Sequence, residues 1–225
     1  MLRLYPGYFI TLEGPEGSGK TSQIPKLVSH FRSLGLTVFS TREPGGTNIG
    51  EQIRNIILHD IKNFEMHPRT ETLLFQSARA QFVEEVIKPH LNKGEIVISD
   101  RFYDSTIAYQ GYGHQQNLDE VRSIVRYATG GLVPDLTIFM NIDVETGLSR
   151  KQKQGEWTRL DAYEIEFHQR VLKGYLEMVD LDSTRWIEVD ARPGIDEVFC
   201  NLKRIIEGRL VSNEFIERDS FGHER

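Results

Sequence analysis

One segment constrains this chain more than any other: Gly14-Pro-Glu-Gly-Ser-Gly-Lys-Thr21, which fits the pattern G-x-x-x-x-G-K-[ST]. It directly follows an apolar run, Tyr8–Leu12, and opens a stretch in which Ile24, Leu27, Val28, Phe31 and Leu34 recur at helical spacing. Strand, glycine-rich turn and helix, in that order, are the context in which this pattern holds phosphate. Small residues let backbone N–H groups curl around anionic oxygens. The helix that follows points its positive end at the same place. Lys20 is placed to add a point charge on transferring phosphates, and the Thr21 hydroxyl to ligate a magnesium ion. Pro25, inside the helical stretch, removes one backbone donor and predicts a local kink or a first turn of altered pitch.

Four further runs read as buried strands: Thr37–Ser40, Ile96–Ser99, Leu136–Met140 and Trp186–Val189. Helical stretches separate them, one of them carrying Leu73, Leu74, Phe75, Ala78, Phe82, Val83, Val86 and Ile87 on an apolar face. Alternating strands and helices predict an α/β fold, a parallel sheet covered on both faces, with ligands beyond the carboxyl ends of the strands. At 225 residues the chain suits one domain, taken as 1–210, followed by a polar tail, 211–225, expected to be mobile. The polar run Arg150–Arg159, with Gly155 inside it, predicts a mobile excursion.

Composition excludes several classes. A single cysteine, Cys200, rules out a disulfide scaffold. A net charge of −6 argues against a nucleic-acid footprint. No run approaches the roughly 18 apolar residues of a membrane span, and the N-terminal region lacks a signal-peptide pattern. The cytoplasm is therefore the expected location.

The phosphate loop alone is shared by GTPases, motor ATPases and small-molecule kinases. A guanine-reading N-K-x-D box is absent from the sequence, and the run Ile96–Ser99 ends in Asp100-Arg101 rather than D-x-x-G. Asp100 is suited to hold magnesium through water, and Arg101 to reach a phosphate. That pairing fits an acceptor phosphate close to the donor.

Five blocks in order carry a resemblance to a known family. They are Gly14–Thr21, Thr41-Arg-Glu-Pro-Gly-Gly-Thr47, Leu74-Phe75-Gln-Ser-Ala-Arg79, Asp100-Arg-Phe-Tyr-Asp-Ser-Thr-Ile-Ala-Tyr-Gln110 and Pro134-Asp-Leu-Thr137. The chain resembles thymidylate (dTMP) kinases from Tyr8 to about Ile206. The resemblance implies a P-loop NTPase-type three-layer fold, with a five-stranded parallel sheet and a short mobile lid at about 148–160. It also implies a homodimer, Mg²⁺ as cofactor, and transfer of the γ-phosphoryl group of ATP to dTMP on the way to dTTP. Two alternatives stay open, a kinase of another deoxypyrimidine monophosphate and a catalytically impaired nucleotide-binding module.

The resemblance also assigns residues. ATP would lie on Gly14, Pro15, Glu16, Gly17, Ser18, Gly19, Lys20 and Thr21, with Arg192 near adenine. Arg101 and Arg54 would grip the dTMP phosphate. Phe75 would stack on thymine, Arg79 would donate to its carbonyl, and Thr106 and Gln110 would read the base edge. Tyr109 would crowd the sugar C2′, Glu16 would lie near the 3′-hydroxyl, and Glu43 would face the acceptor and metal waters. Thr21 and Asp100 form the metal pair, and Arg42 is either a site residue or a structural partner. Positions 15–18 carry no base, so the lid must supply the charge that some members carry in the phosphate loop. Gln152 and Gln154 stand where other members have lid arginines. The catalytic set is therefore Lys20, Arg101, Arg150 and Arg159, with Lys151 and Lys153 read as solvated charges.

Overall fold

The computed structural model describes residues 5–59, 66–155 and 157–216; the Gln154 side chain and residues 217–225 of the expected tail lie outside this description. Five strands form one sheet: β1 (Tyr8–Glu13), β2 (Val38–Arg42), β3 (Ile96–Asp100), β4 (Leu136–Asn141) and β5 (Trp186–Asp190). All pairings are parallel and the order is β2-β3-β1-β4-β5. Each strand runs one or two residues past its apolar sequence run, because the ladder pairs backbone groups whatever side chain follows.

The nine α-helices assigned among the described residues are α1 (Lys20–Ser33), α2 (Asn48–Arg54), α3 (Pro68–Phe82), α4 (Lys88–Asn92), α5 (Tyr103–Thr106), α6 (Leu118–Thr129), α7 (Val144–Gln154), α8 (Ile165–Leu181) and α9 (Ile195–Ser212). They cover both sheet faces, as alternation along β1 requires. Tyr8, Ile10 and Leu12 meet Leu27 and Phe31 of α1 and Leu202 and Ile206 of α9. Phe9 faces the other way, onto Phe82, Val97 and Phe102. Further along that layer Phe139 meets Tyr175 of α8.

Three departures from the sequence reading matter. Helix α1 runs unbroken through Pro25, which is exposed and costs the helix the one backbone bond its N–H would have made to Thr21. The lid run is not an excursion from its first residue. Asp143 caps α7 by accepting from the Thr146 N–H, and the helix continues to Gln154 before Gly155 ends it at φ 76°. Finally, α9 ends at Ser212, Phe215 lies 5.4 Å from the Tyr8 ring, and Asn213 donates to the Tyr8 hydroxyl. The start of the expected tail is thus folded onto the core.

Candidate active site

β1 lies at the centre of the sheet, between β3 and β4, and its end delivers the phosphate loop. Gly14, Gly17 and Gly19 take φ of 144°, 67° and 90°, conformations open to glycine. Gly17 is also pressed from outside: a Cβ there would meet the Gly147 carbonyl oxygen of α7 at 2.0 Å. Lys20 is buried and folds its ammonium into the loop, donating to Gly14 O at 3.0 Å, Pro15 O at 2.9 Å and Ser18 Oγ at 2.9 Å. Burial and the nearby Arg101 charge pull its pKa down to about 8.

In the neighbouring ladder Leu12 pairs with Asp100, which sets the end of β3 beside the loop. Thr21 Oγ1 donates to Asp100 Oδ2 at 2.8 Å, bringing the expected metal pair together. A hydroxyl and a carboxylate side by side are hard oxygen donors and fit magnesium. Among the described residues there is no acidic or histidine cluster able to cage a metal unaided. That too is the usual state of a magnesium site completed by phosphate oxygens.

Arg101 stands at φ 69° immediately after β3. Its guanidinium donates to Glu16 Oε1 at 2.7 Å, Gly14 O at 2.9 Å, Ser105 Oγ at 3.0 Å and Tyr109 OH at 3.1 Å. The Tyr109 hydroxyl also reaches Glu16, at 2.9 Å. Burial would raise the Glu16 carboxyl, but Arg101 and Lys20 outweigh it and hold it at about 2. Behind this group Glu13 is fully buried, accepting from Phe102 N at 2.7 Å, Ser105 Oγ at 2.6 Å and Tyr175 OH at 3.0 Å. Burial and the Asp104 charge raise its carboxyl to about 7.

The second wall comes from α3. Phe75 and Arg79, four residues apart, share a face. Arg79 is buried, donating to Glu43 Oε2 at 2.7 Å, Thr106 Oγ1 at 2.8 Å and Phe102 O at 3.1 Å. Burial raises the Glu43 carboxyl despite Arg79, and Glu43 Oε1 has no hydrogen-bond partner among the described residues. Arg54 donates to Pro44 O at 2.7 Å, while Arg42 pairs with Glu51 at 3.2 Å on the cleft rim.

These elements enclose a cleft of about 1020 Å³. It is lined by Glu16, Gly17, Gly19, Lys20 and Thr21 of the phosphate loop, by Asp100, and by Glu43, Arg54, Phe75, Arg79, Arg101, Thr106, Tyr109 and Gln110. Gly14, Pro15 and Ser18 shape the loop without lining the cleft.

The structure does not bring the two expected lid arginines into this cleft. Arg150 donates to the carbonyls of Ala191 and Arg192, both at 2.8 Å. Arg159 is buried against Glu71, donating also to Ile57 O at 2.9 Å and Tyr163 OH at 2.6 Å. Arg192 is exposed and paired with Asp190, off the cleft wall. The lid cation that does line the cleft is Lys151, whose charge is felt by Glu16 and Asp161. Sequence reasoning also missed Ser105, Trp157, Leu160 and Asp161, which line the cleft, and Glu13 and Glu71, which support it. Glu71 stands four residues before Phe75, so helical spacing alone could have flagged it.

A phosphate loop on a parallel sheet, opening into a cleft also lined by Arg54, Arg79 and Arg101, defines a P-loop nucleotide phosphotransferase. The chain belongs to the thymidylate kinase family, whose model matches residues 12–201. It is 48% identical over 217 residues to a thymidylate kinase of Roseiflexus castenholzii, covering 91% of this chain and 94% of that one. The thymidylate kinase of Herpetosiphon aurantiacus is 49% identical over 208 residues, 81% of this chain and 88% of its own. That of Carboxydothermus hydrogenoformans is 45% identical over 202 residues, 90% and 98% respectively.

Proposed function

We infer that the chain transfers the γ-phosphoryl group of ATP to dTMP, giving dTDP and ADP. One observation carries the assignment of residues: Glu16, Gly17, Gly19, Lys20 and Thr21 of the phosphate loop and all nine dTMP-side positions expected from the resemblance line one cleft. The attacking group is a dTMP phosphate oxygen, largely ionised already because its second pKa is about 6. No strong base is needed, and the residues instead have to hold two anions together and neutralise the charge in transfer.

Lys20 and the loop N–H groups hold the β- and γ-phosphates of ATP. Arg101 and Arg54 hold the dTMP phosphate, and Phe75 stacks on the base. Tyr109, which lines the cleft, would crowd a ribose 2′-hydroxyl. Thr21 and Asp100 would hold Mg²⁺, which supplies charge neutralisation at the phosphates. Lys151 takes the lid role, because it lines the cleft and Arg150 and Arg159 do not. Ile49 and Leu73, about half exposed on α2 and α3, support a homodimer through that face. No helix among the described residues is long and apolar enough to cross a membrane, and both substrates are water-soluble, which supports a cytoplasmic enzyme.

The test is a coupled assay of ADP release with Mg²⁺, ATP and, in turn, dTMP, dUMP and dCMP. The highest kcat/KM is expected for dTMP. Preferred turnover of another base would reject the assignment.

A further inference from the structure

We propose that Glu71 is a specificity-determining positioning residue: it binds the Gln110 amide N–H and thereby leaves Gln110 Oε1, an acceptor, for the base edge. The proposal rests on reading the cleft as a pyrimidine monophosphate site.

Glu71 lies in α3 with no solvent exposure. Four donors converge on its carboxylate: Gln110 Nε2 at 2.8 Å, His114 Nε2 at 3.0 Å, Tyr163 OH at 3.1 Å and the Arg159 guanidinium. Burial opposes its ionisation, but the His114 hydrogen bond and the Arg159 charge hold its pKa at about 2. At neutral pH it is therefore ionised, and an ionised carboxylate only accepts. Turning the Gln110 amide over would set two acceptors against each other in a buried place, which the protein does not tolerate cheaply. The orientation of that amide is thus dictated by charge.

Gln110 lines the cleft although its side chain is almost wholly buried, so little of it is offered to a ligand. Its backbone oxygen is occupied by Gln116 Nε2 at 3.0 Å. With one Nε2 proton given to Glu71 the amide is fixed in orientation, and Oε1 keeps no protein donor among the described residues. Thymine and uracil carry an N–H donor at N3, whereas cytosine carries a bare acceptor there. A fixed acceptor rejects cytosine, since a polar group left unpaired costs far more than a lost contact.

The test compares kcat/KM for dTMP and dCMP within each variant, a ratio that does not depend on the fraction folded. In Glu71→Gln the amide at 71 can donate as well as accept, so Gln110 is free to turn. The dTMP/dCMP ratio is expected to fall at least about tenfold. Tyr163→Phe leaves the carboxylate its Arg159 and His114 partners, so the ratio should hold within about twofold. Gln110→Met removes the acceptor while Glu71 keeps its His114, Tyr163 and Arg159 donors, and should collapse the ratio in the same way. An unchanged ratio in Glu71→Gln, or in Gln110→Met should the first variant not fold, overturns the proposal. Wild-type protein inactive on dTMP would instead reject the underlying reading.

Discussion

Replacing Lys20 with alanine removes an ammonium held inside the phosphate loop by three oxygens, two of them loop carbonyls. Its charge is needed most when charge moves off the transferred group, so kcat is expected to fall by about 10²-fold or more. The thermal midpoint should move little, and near-normal kcat would remove Lys20 from the chemistry. Lys151→Ala should lower kcat by about tenfold or more with KM for dTMP within about twofold, the signature of a contact made in the transition state. Arg150→Ala should leave kcat within about twofold; the reverse pattern would return the lid role to Arg150. Glu13 makes a different prediction, about pH. Its folded pKa of about 7 is raised above the ordinary 4.5, so the stability it contributes is full below about pH 4.5. That contribution is lost as pH rises to about 7. Glu13→Gln should therefore gain thermal midpoint relative to wild type between pH 5 and 7.5. A constant difference across that window would refute the raised pKa.

At the level of elements, the lid helix is joined to the phosphate loop by contact between glycine backbones. A Cβ on Gly147 would meet the Glu16 carbonyl oxygen at 2.4 Å, closer than real Cβ contacts allow. Gly147→Ala should push α7 and the loop apart and raise the KM for ATP several-fold, read in the same steady-state assay; unchanged ATP kinetics would mean the contact gives way freely. The far root of the lid is tied to α3 by the buried Arg159–Glu71 pair. The sequence displayed the lid's charge but not its phase. Adjacent helical residues point about 100° apart, so Arg150 and Lys151 face different surroundings once Asp143 fixes where α7 begins. Read as an irregular excursion, the run had no phase, and the sequence pointed to Arg150, which the structure holds on the Ala191 and Arg192 carbonyls, rather than to Lys151, which lines the cleft. The strands and the phosphate loop were legible because their signals are local: short β-branched or aromatic runs, and glycines at fixed spacing.

At the scale of the whole molecule, what sequence could not supply is the long-range pairing of buried charges. Arg159 meets Glu71 across 88 positions, and Arg101 meets Glu16 across 85. Nothing in either partner's local sequence announces the other. The family resemblance bridged that gap for Glu16, Glu43, Arg54, Phe75, Arg79, Arg101, Thr106, Tyr109 and Gln110, which line one cleft, but not for the lid arginines, which do not. The exposed α2–α3 face makes an assembly prediction: the wild type should run as a dimer in light scattering and Leu73→Glu as a monomer, while a monomeric wild type or an unaltered dimer would contradict it. The central claim, that one cation-lined cleft passes a phosphoryl group between two nucleotide anions, is tested most directly by following ³¹P resonances of ATP and dTMP with the purified protein and Mg²⁺. The account predicts dTDP and ADP appearing in equal amounts. ADP accompanied by free phosphate, with dTMP untouched, would contradict it.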